Sequence, residues 1–114
     1  MNYDTHNNNE DLNDTGWVGT HYQGQVHCPY DLLVDLFGEP TEGDNFKTDC
    51  EWIVKFEDKT IATIYDWKIG QNYLGEDGIP PEKNTTWNIG GHRSQAVDNV
   101  EYVLDIARRL NLDG

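Results

Sequence analysis

Two runs of alternating residues with three polar ones between them constrain this chain more than any other feature. Glu51–Phe56 sets Trp52, Val54 and Phe56 on one side, while Thr60–Trp67 alternates Ile61, Thr63, Tyr65 and Trp67 against Ala62, Ile64 and Asp66. A period of two reads as strand, and a connection as short as Glu57–Lys59 joins such strands as an antiparallel hairpin. A hairpin this apolar belongs at the centre of a sheet, so the rest of the chain has to cover it.

The covering elements are legible on either side. Thr20–Cys28 alternates Tyr22, Gly24 and Val26 against His21, Gln23, Gln25 and His27, the pattern of a half-buried strand. Pro29 suits a helix start, Leu32, Leu33, Leu36 and Phe37 form an apolar stripe, Gly38 caps the helix and Pro40 forbids its continuation. The polar stretches 39–49 and 70–84 read as loops. Thr85–Ile89 is a short strand closed by Gly90 and Gly91. Ser94 then opens a helix carrying Val97, Val100, Val103, Leu104, Ala107 and Leu110 at helical spacing, with Arg108 and Arg109 at its cation-favouring end. The order β-α-β-β-β-α predicts an α+β fold, an antiparallel sheet of about four strands with two helices packed on one face. Residues 15–114 read as one domain. Residues 1–14 offer only Tyr3 and Leu12 as sizeable apolar side chains, too few to offset the entropy of ordering, and read as a disordered, acidic, Asn-rich tail. The opposite sheet face is expected to carry part of the set Trp17, Trp52, Tyr65, Trp67, Tyr73 and Trp87, more aromatics than one small core needs.

Charge narrows the function. Eight Lys and Arg face 21 Asp and Glu, a net charge of −13, which disfavours direct contact with nucleic acid or an anionic membrane and suits a basic partner. No run approaches the roughly 18 apolar residues of a membrane span, and the start of the chain does not read as a signal peptide, so the expected location is cytoplasmic. Cys28 and Cys50 form no C-x-x-C pair and read as buried reduced thiols, with a disulfide possible if the fold brings them together. His21 and His27 share a strand face but stand about 20 Å apart at about 3.3 Å per residue, so they cannot share an ion; no metal and no cofactor is expected.

No catalytic motif stands out. Asp66, between Tyr65 and Trp67, is the most interesting acid. It reads as a solvent-facing residue or one bonded to a nearby amide, and a general-base role would need His92 brought beside it. Two other surfaces are better candidates. Asp31 and Asp35 on the first helix, Glu39, Glu42 and Asp44 after it, Glu76, Asp77 and Glu82 in the long loop, and Asp98, Glu101 and Asp105 along one face of the last helix supply acids for a protein interface. Alternatively, Gly90, Gly91, His92, Arg93 and Ser94 place backbone N–H groups and cationic donors at a helix start, where a small anion or nucleotide could sit with Tyr65 and Trp67 stacking on it.

The stretches Asp35-Leu36-Phe37-Gly38-Glu39-Pro40, Lys47-Thr48-Asp49-Cys50-Glu51-Trp52, Thr63-Ile64-Tyr65-Asp66-Trp67-Lys68 and Trp87-Asn88-Ile89-Gly90-Gly91-His92 resemble small acidic proteins encoded by tailed bacteriophages and other large DNA viruses. The resemblance implies no catalytic residues. It implies a context, the host cytoplasm, in which small acidic phage proteins inhibit DNA-processing or defence enzymes, some by mimicking DNA. The expected function is therefore a non-enzymatic inhibitor, monomer or homodimer, that occupies the nucleic-acid-binding surface of a basic host protein.

Overall fold

A computed structural model describes residues 2–5, 19–41, 50–67 and 69–111. They form an α+β fold around one antiparallel sheet of five strands in the order β1-β3-β4-β5-β2: β1 is Tyr3–Thr5, β2 His21–His27, β3 Glu51–Phe56, β4 Ile61–Tyr65 and β5 Thr86–Gly91. The helices are α1 (Tyr30–Phe37), a single short turn α2 (Gln71–Leu74) and α3 (Gln95–Asn111), with 3₁₀ turns at Gly75–Asp77 and Pro81–Lys83. The hairpin is central as expected, with Trp52 opposite Ile64 and Val54 opposite Ala62. Its turn places Lys59 at φ 74.

The expected four strands become five because the N-terminal segment contributes one. Tyr3 pairs with Phe56 and Thr5 with Val54 along the outer side of β3. The Tyr3 ring lies 5.1 Å from that of Phe37 and 6.0 Å from that of Phe56, and its hydroxyl donates to the Leu36 carbonyl at 2.8 Å. One well-placed aromatic thus supplies the burial that the composition of residues 1–14 does not advertise. The remainder of that expected tail, residues 1 and 6–14, lies outside the described residues.

Both long helices pack on the same sheet face. Leu33 and Phe37 from α1 and Ala96, Val100, Val103 and Leu104 from α3 join Val26, Trp52, Val54, Phe56, Ala62, Ile64, Trp87 and Ile89 in one buried cluster. Leu110, read as part of the helical stripe, is 79% exposed, because α3 outruns the sheet that its earlier turns cover. Gly38 ends α1 at φ 83 with its N–H on the Val34 carbonyl, the left-handed cap that favours glycine.

Two face assignments are reversed. In β2 the register steps from Tyr22 opposite Gly90 to Gly24 opposite Ile89, so Gln23 is an extra, bulged residue. A bulge moves every residue beyond it by one position. Val26 and Gly24 keep the helix side, where a Cβ on Gly24 would sit 3.1 Å from the Val97 Cγ2. Tyr22 turns to the other side with Gln25, and His21, opposite Gly91, turns to the helix side, so it does not share a face with His27 as expected.

The glycine pair of β5 is explained by packing on both faces. A Cβ on Gly90 would collide with the Thr63 Oγ1, and one on Gly91 would lie 2.5 Å from the Ala96 Cβ and 3.1 Å from the Ile61 carbonyl oxygen. Gly91→Ala is expected to cost about 1–3 kcal/mol through this overpacking, read as a lower urea midpoint. Adding Ala96→Gly should recover part of the loss, so the double variant falls short of the sum. Strictly additive losses would place the cause elsewhere.

Candidate functional site

The α1 end of the molecule gathers acids around a tyrosine. Asp31 and Asp35 are exposed on α1, Glu39 follows its cap, and Glu82 lies in the 3₁₀ turn Pro81–Lys83, which packs against α1. Tyr30, half-buried over the rings of Trp52 and Trp87 at 5.8 and 6.3 Å, sits among them. Burial pushes the Tyr30 hydroxyl above its ordinary range, and Cys50 and the carboxylates of Glu39, Glu82 and Asp31 push it further. Among the described residues, none of Asp31, Asp35, Glu39 and Glu82 makes an ion pair.

The acids of α3 differ. Asp98 and Asp105 are exposed and Glu101 partly so, but Arg108 reaches Asp105 at 3.1 Å and Glu101 at 4.0 Å and also donates to the His27 carbonyl. Part of that face is therefore neutralised from within. Glu76 and Asp77 are exposed in their own turn, and Glu42 and Asp44 lie outside the described residues.

The Gly90–Ser94 segment is less open than expected. Gly90 and Gly91 are buried residues of β5, and only His92, Arg93 and Ser94 form an exposed turn before α3, with the Ser94 carbonyl accepting from Val97 N at 3.0 Å. Tyr65 does lie beside Gly90, its Cε1 3.5 Å from where a Cβ would be, but the concavity there is lined by Tyr22, Gln25, Tyr65, Trp67 and Asn88, without Arg93. Tyr65 and Trp67 meet edge to face at 6.2 Å and 82°. Of the other aromatics, Trp52 and Trp87 belong to the helix-side core, Tyr73 is exposed, and Trp17 lies outside the described residues. Tyr22, Gln25, Asn88 and Tyr30 were not singled out from sequence. A bulge and a cross-strand pairing bring the first three together, and neither leaves a local signature.

Asp66 is 1% exposed and accepts a bond from the Cys50 N–H at 3.3 Å, the amide-bonded alternative rather than a solvent-facing one. It lies just beyond the Tyr65–Asn88 pair, while His92 lies just beyond the Ala62–Gly91 pair, so the two occupy opposite ends of the β4–β5 ladder and form no acid–base couple. Among the described residues, no three His, Cys, Asp or Glu gather as metal ligands, and no helix is long and apolar enough to cross a membrane. Cys28 and Cys50 are both buried and are not joined in a disulfide.

No family model matches the chain, and neither a curated protein nor a solved structure matches it.

Burial pushes the Cys28 thiol up from 9.0 to about 11, against a smaller lowering by Arg108. The thiol therefore stays protonated in the folded chain through a range where the unfolded chain has lost the proton, so stability falls as pH rises from 9.0 toward about 11. Comparing urea midpoints at about pH 8 and about pH 10 should show a smaller drop for Cys28→Ala than for the wild type. Equal drops would mean that the thiol is not held neutral. The same protonation should make Cys28 slow to alkylate until the chain unfolds.

Proposed function

We propose that this chain is a non-enzymatic acidic binding protein that occupies a basic, nucleic-acid-binding surface of another protein, with the α1 end as its contact. The observation that carries this reading is the group around Tyr30: Asp31 and Glu39 at the two ends of α1 and Glu82 on the 3₁₀ turn packed against it lie near enough to raise the Tyr30 hydroxyl, and among the described residues none of the three makes an ion pair. A locally negative surface of this kind attracts a basic partner. Tyr30 and the rigid core beneath it supply a partly apolar centre to an acidic rim, the arrangement by which aromatic residues anchor protein interfaces.

The net charge of −13 adds a long-range attraction to any basic groove and repulsion from nucleic acid itself. Together with the resemblance to small acidic phage proteins, this favours a host defence or DNA-processing protein as partner and displacement of DNA as the mode of inhibition. Because the α3 acids share Arg108, they contribute less than the α1 group.

The reading is tested by capture from host lysate on immobilised full-length protein, with competition by duplex DNA. A nucleic-acid-binding protein should be retained at about 50 mM salt and released by DNA or by about 0.5 M salt, where screening shortens the reach of charge to a few ångströms. Asp31→Lys, Glu39→Lys and Glu82→Lys together should lower retention about tenfold or more, whereas Glu76→Lys with Asp77→Lys should have a smaller effect. Retention that ignores DNA, salt and the triple reversal would overturn the proposal.

A further inference from the structure

The sheet face away from α1 and α3 presents a concave surface of different chemistry. Its groove, about 520 Å³, lies over β4, β5 and β2 and is lined among the described residues by Tyr22, Gln25, Tyr65, Trp67 and Asn88. This size falls within the range of about 300–1,000 Å³ common for ligand pockets. Three of the five are aromatic, two are amides, and none is charged. Tyr22 is 60% exposed and Trp67 41% exposed, although large aromatics are normally covered.

The geometry defines what fits. Tyr65 and Trp67 stand at 82° with centroids 6.2 Å apart, making a corner of two perpendicular rings. Tyr22, swung to this side by the Gln23 bulge, forms the facing wall. Between them Gln25 Nε2 donates to Asn88 Oδ1 at 3.0 Å, which orients the pair and leaves the Gln25 carbonyl oxygen as an acceptor. Glu51 lies opposite Tyr65 in the β3–β4 register and so adds a negative charge on this face. An anion finds no Lys or Arg among the lining residues and meets a chain of charge −13.

We infer that this groove binds a guanidinium group, the side chain of an arginine presented by a partner protein. Aromatic faces attract cations through their quadrupoles, and guanidinium stacks flat on them while its N–H groups remain free to donate. Those donors match the Gln25 oxygen and the phenol oxygens of Tyr22 and Tyr65. A quaternary ammonium has no donor and would leave the amide pair unused. The site lies across the sheet from the Tyr30 acids and does not depend on the function assigned to them.

The test is a titration of the ¹⁵N-labelled full-length chain with N-acetyl-arginine methylamide, followed by backbone amides, the Trp67 indole N–H and the Gln25 and Asn88 side-chain amides. Saturable shifts confined to Tyr22, Gln25, Tyr65, Trp67 and Asn88 are expected, with a dissociation constant of about 1–10 mM for one isolated side chain. The citrulline analogue, the same shape without the charge, should bind about tenfold more weakly or worse. Trp67→Ala should weaken binding to a similar degree. Tyr22→Ala, at an exposed position on an edge strand, repeats that test if Trp67→Ala does not fold. Asp31→Lys with Glu82→Lys should leave the dissociation constant within about twofold, separating this site from the acidic one. Equal binding of the citrulline analogue, tighter binding of tetramethylammonium, or no localised shift up to about 50 mM would each overturn the inference.

Discussion

The fold hangs on two tryptophans. Trp52 in β3 and Trp87 in β5 meet edge to face at 5.4 Å, and both are fully buried. A buried indole must place its N–H on an acceptor, and these two choose acceptors at opposite ends of the same helix. Trp87 Nε1 donates to the Cys28 carbonyl at 3.1 Å just before α1, and Trp52 Nε1 donates to the Gly38 carbonyl at 2.7 Å at its cap. An eight-residue helix is too short to be stable alone in water. Here it is fastened at both ends to the sheet, and Leu33 and Phe37 fill the space between. The acids carried on α1 and the Tyr30 ring over the indoles inherit their placement from these two hydrogen bonds.

The two faces of the sheet divide the chemistry. The helix side is the apolar core, and the outer surfaces of α1 and α3 carry Asp31, Asp35, Asp98, Glu101 and Asp105. On the other side Ile53, Ile61 and Thr63 are buried while Tyr22, Tyr65 and Trp67 reach outward. Gly90 and Gly91 let both arrangements coexist: one makes room for Thr63 and the Tyr65 ring, and the other admits α3 against Ala96. Adjacent in the strand, they serve packing on alternate faces, and so the two glycines of the expected anion cradle are buried in β5.

Strong local patterns were legible in the sequence. The hairpin, the apolar stripe of α1, its Gly38 cap and the long final helix each follow from period, cap and breaker residues that act over a few positions. The antiparallel α+β class follows from their order. What escaped was non-local. Tyr3 orders β1 through rings and a carbonyl far along the chain, and Gln23 is a bulge only because of the partner strand. Glu82 joins Asp31 and Glu39 only because a 3₁₀ turn packs on α1. Spacing places Asp98, Glu101 and Asp105 on one helical face, and the same spacing puts Arg108, three residues after Asp105, where it partly neutralises two of them.

The account rests on the acids being concentrated around α1 rather than spread over the surface, and a direct measurement is the local electrostatic potential at each amide from paramagnetic relaxation by cationic and anionic cosolutes. The account predicts the deepest negative potential along Tyr30–Phe37, at Glu39 and at Glu82, with a shallower one along α3 beside Arg108. A potential equally negative around the whole molecule, or deepest at Glu76 and Asp77, would contradict it and leave the acidity as a general property of the surface.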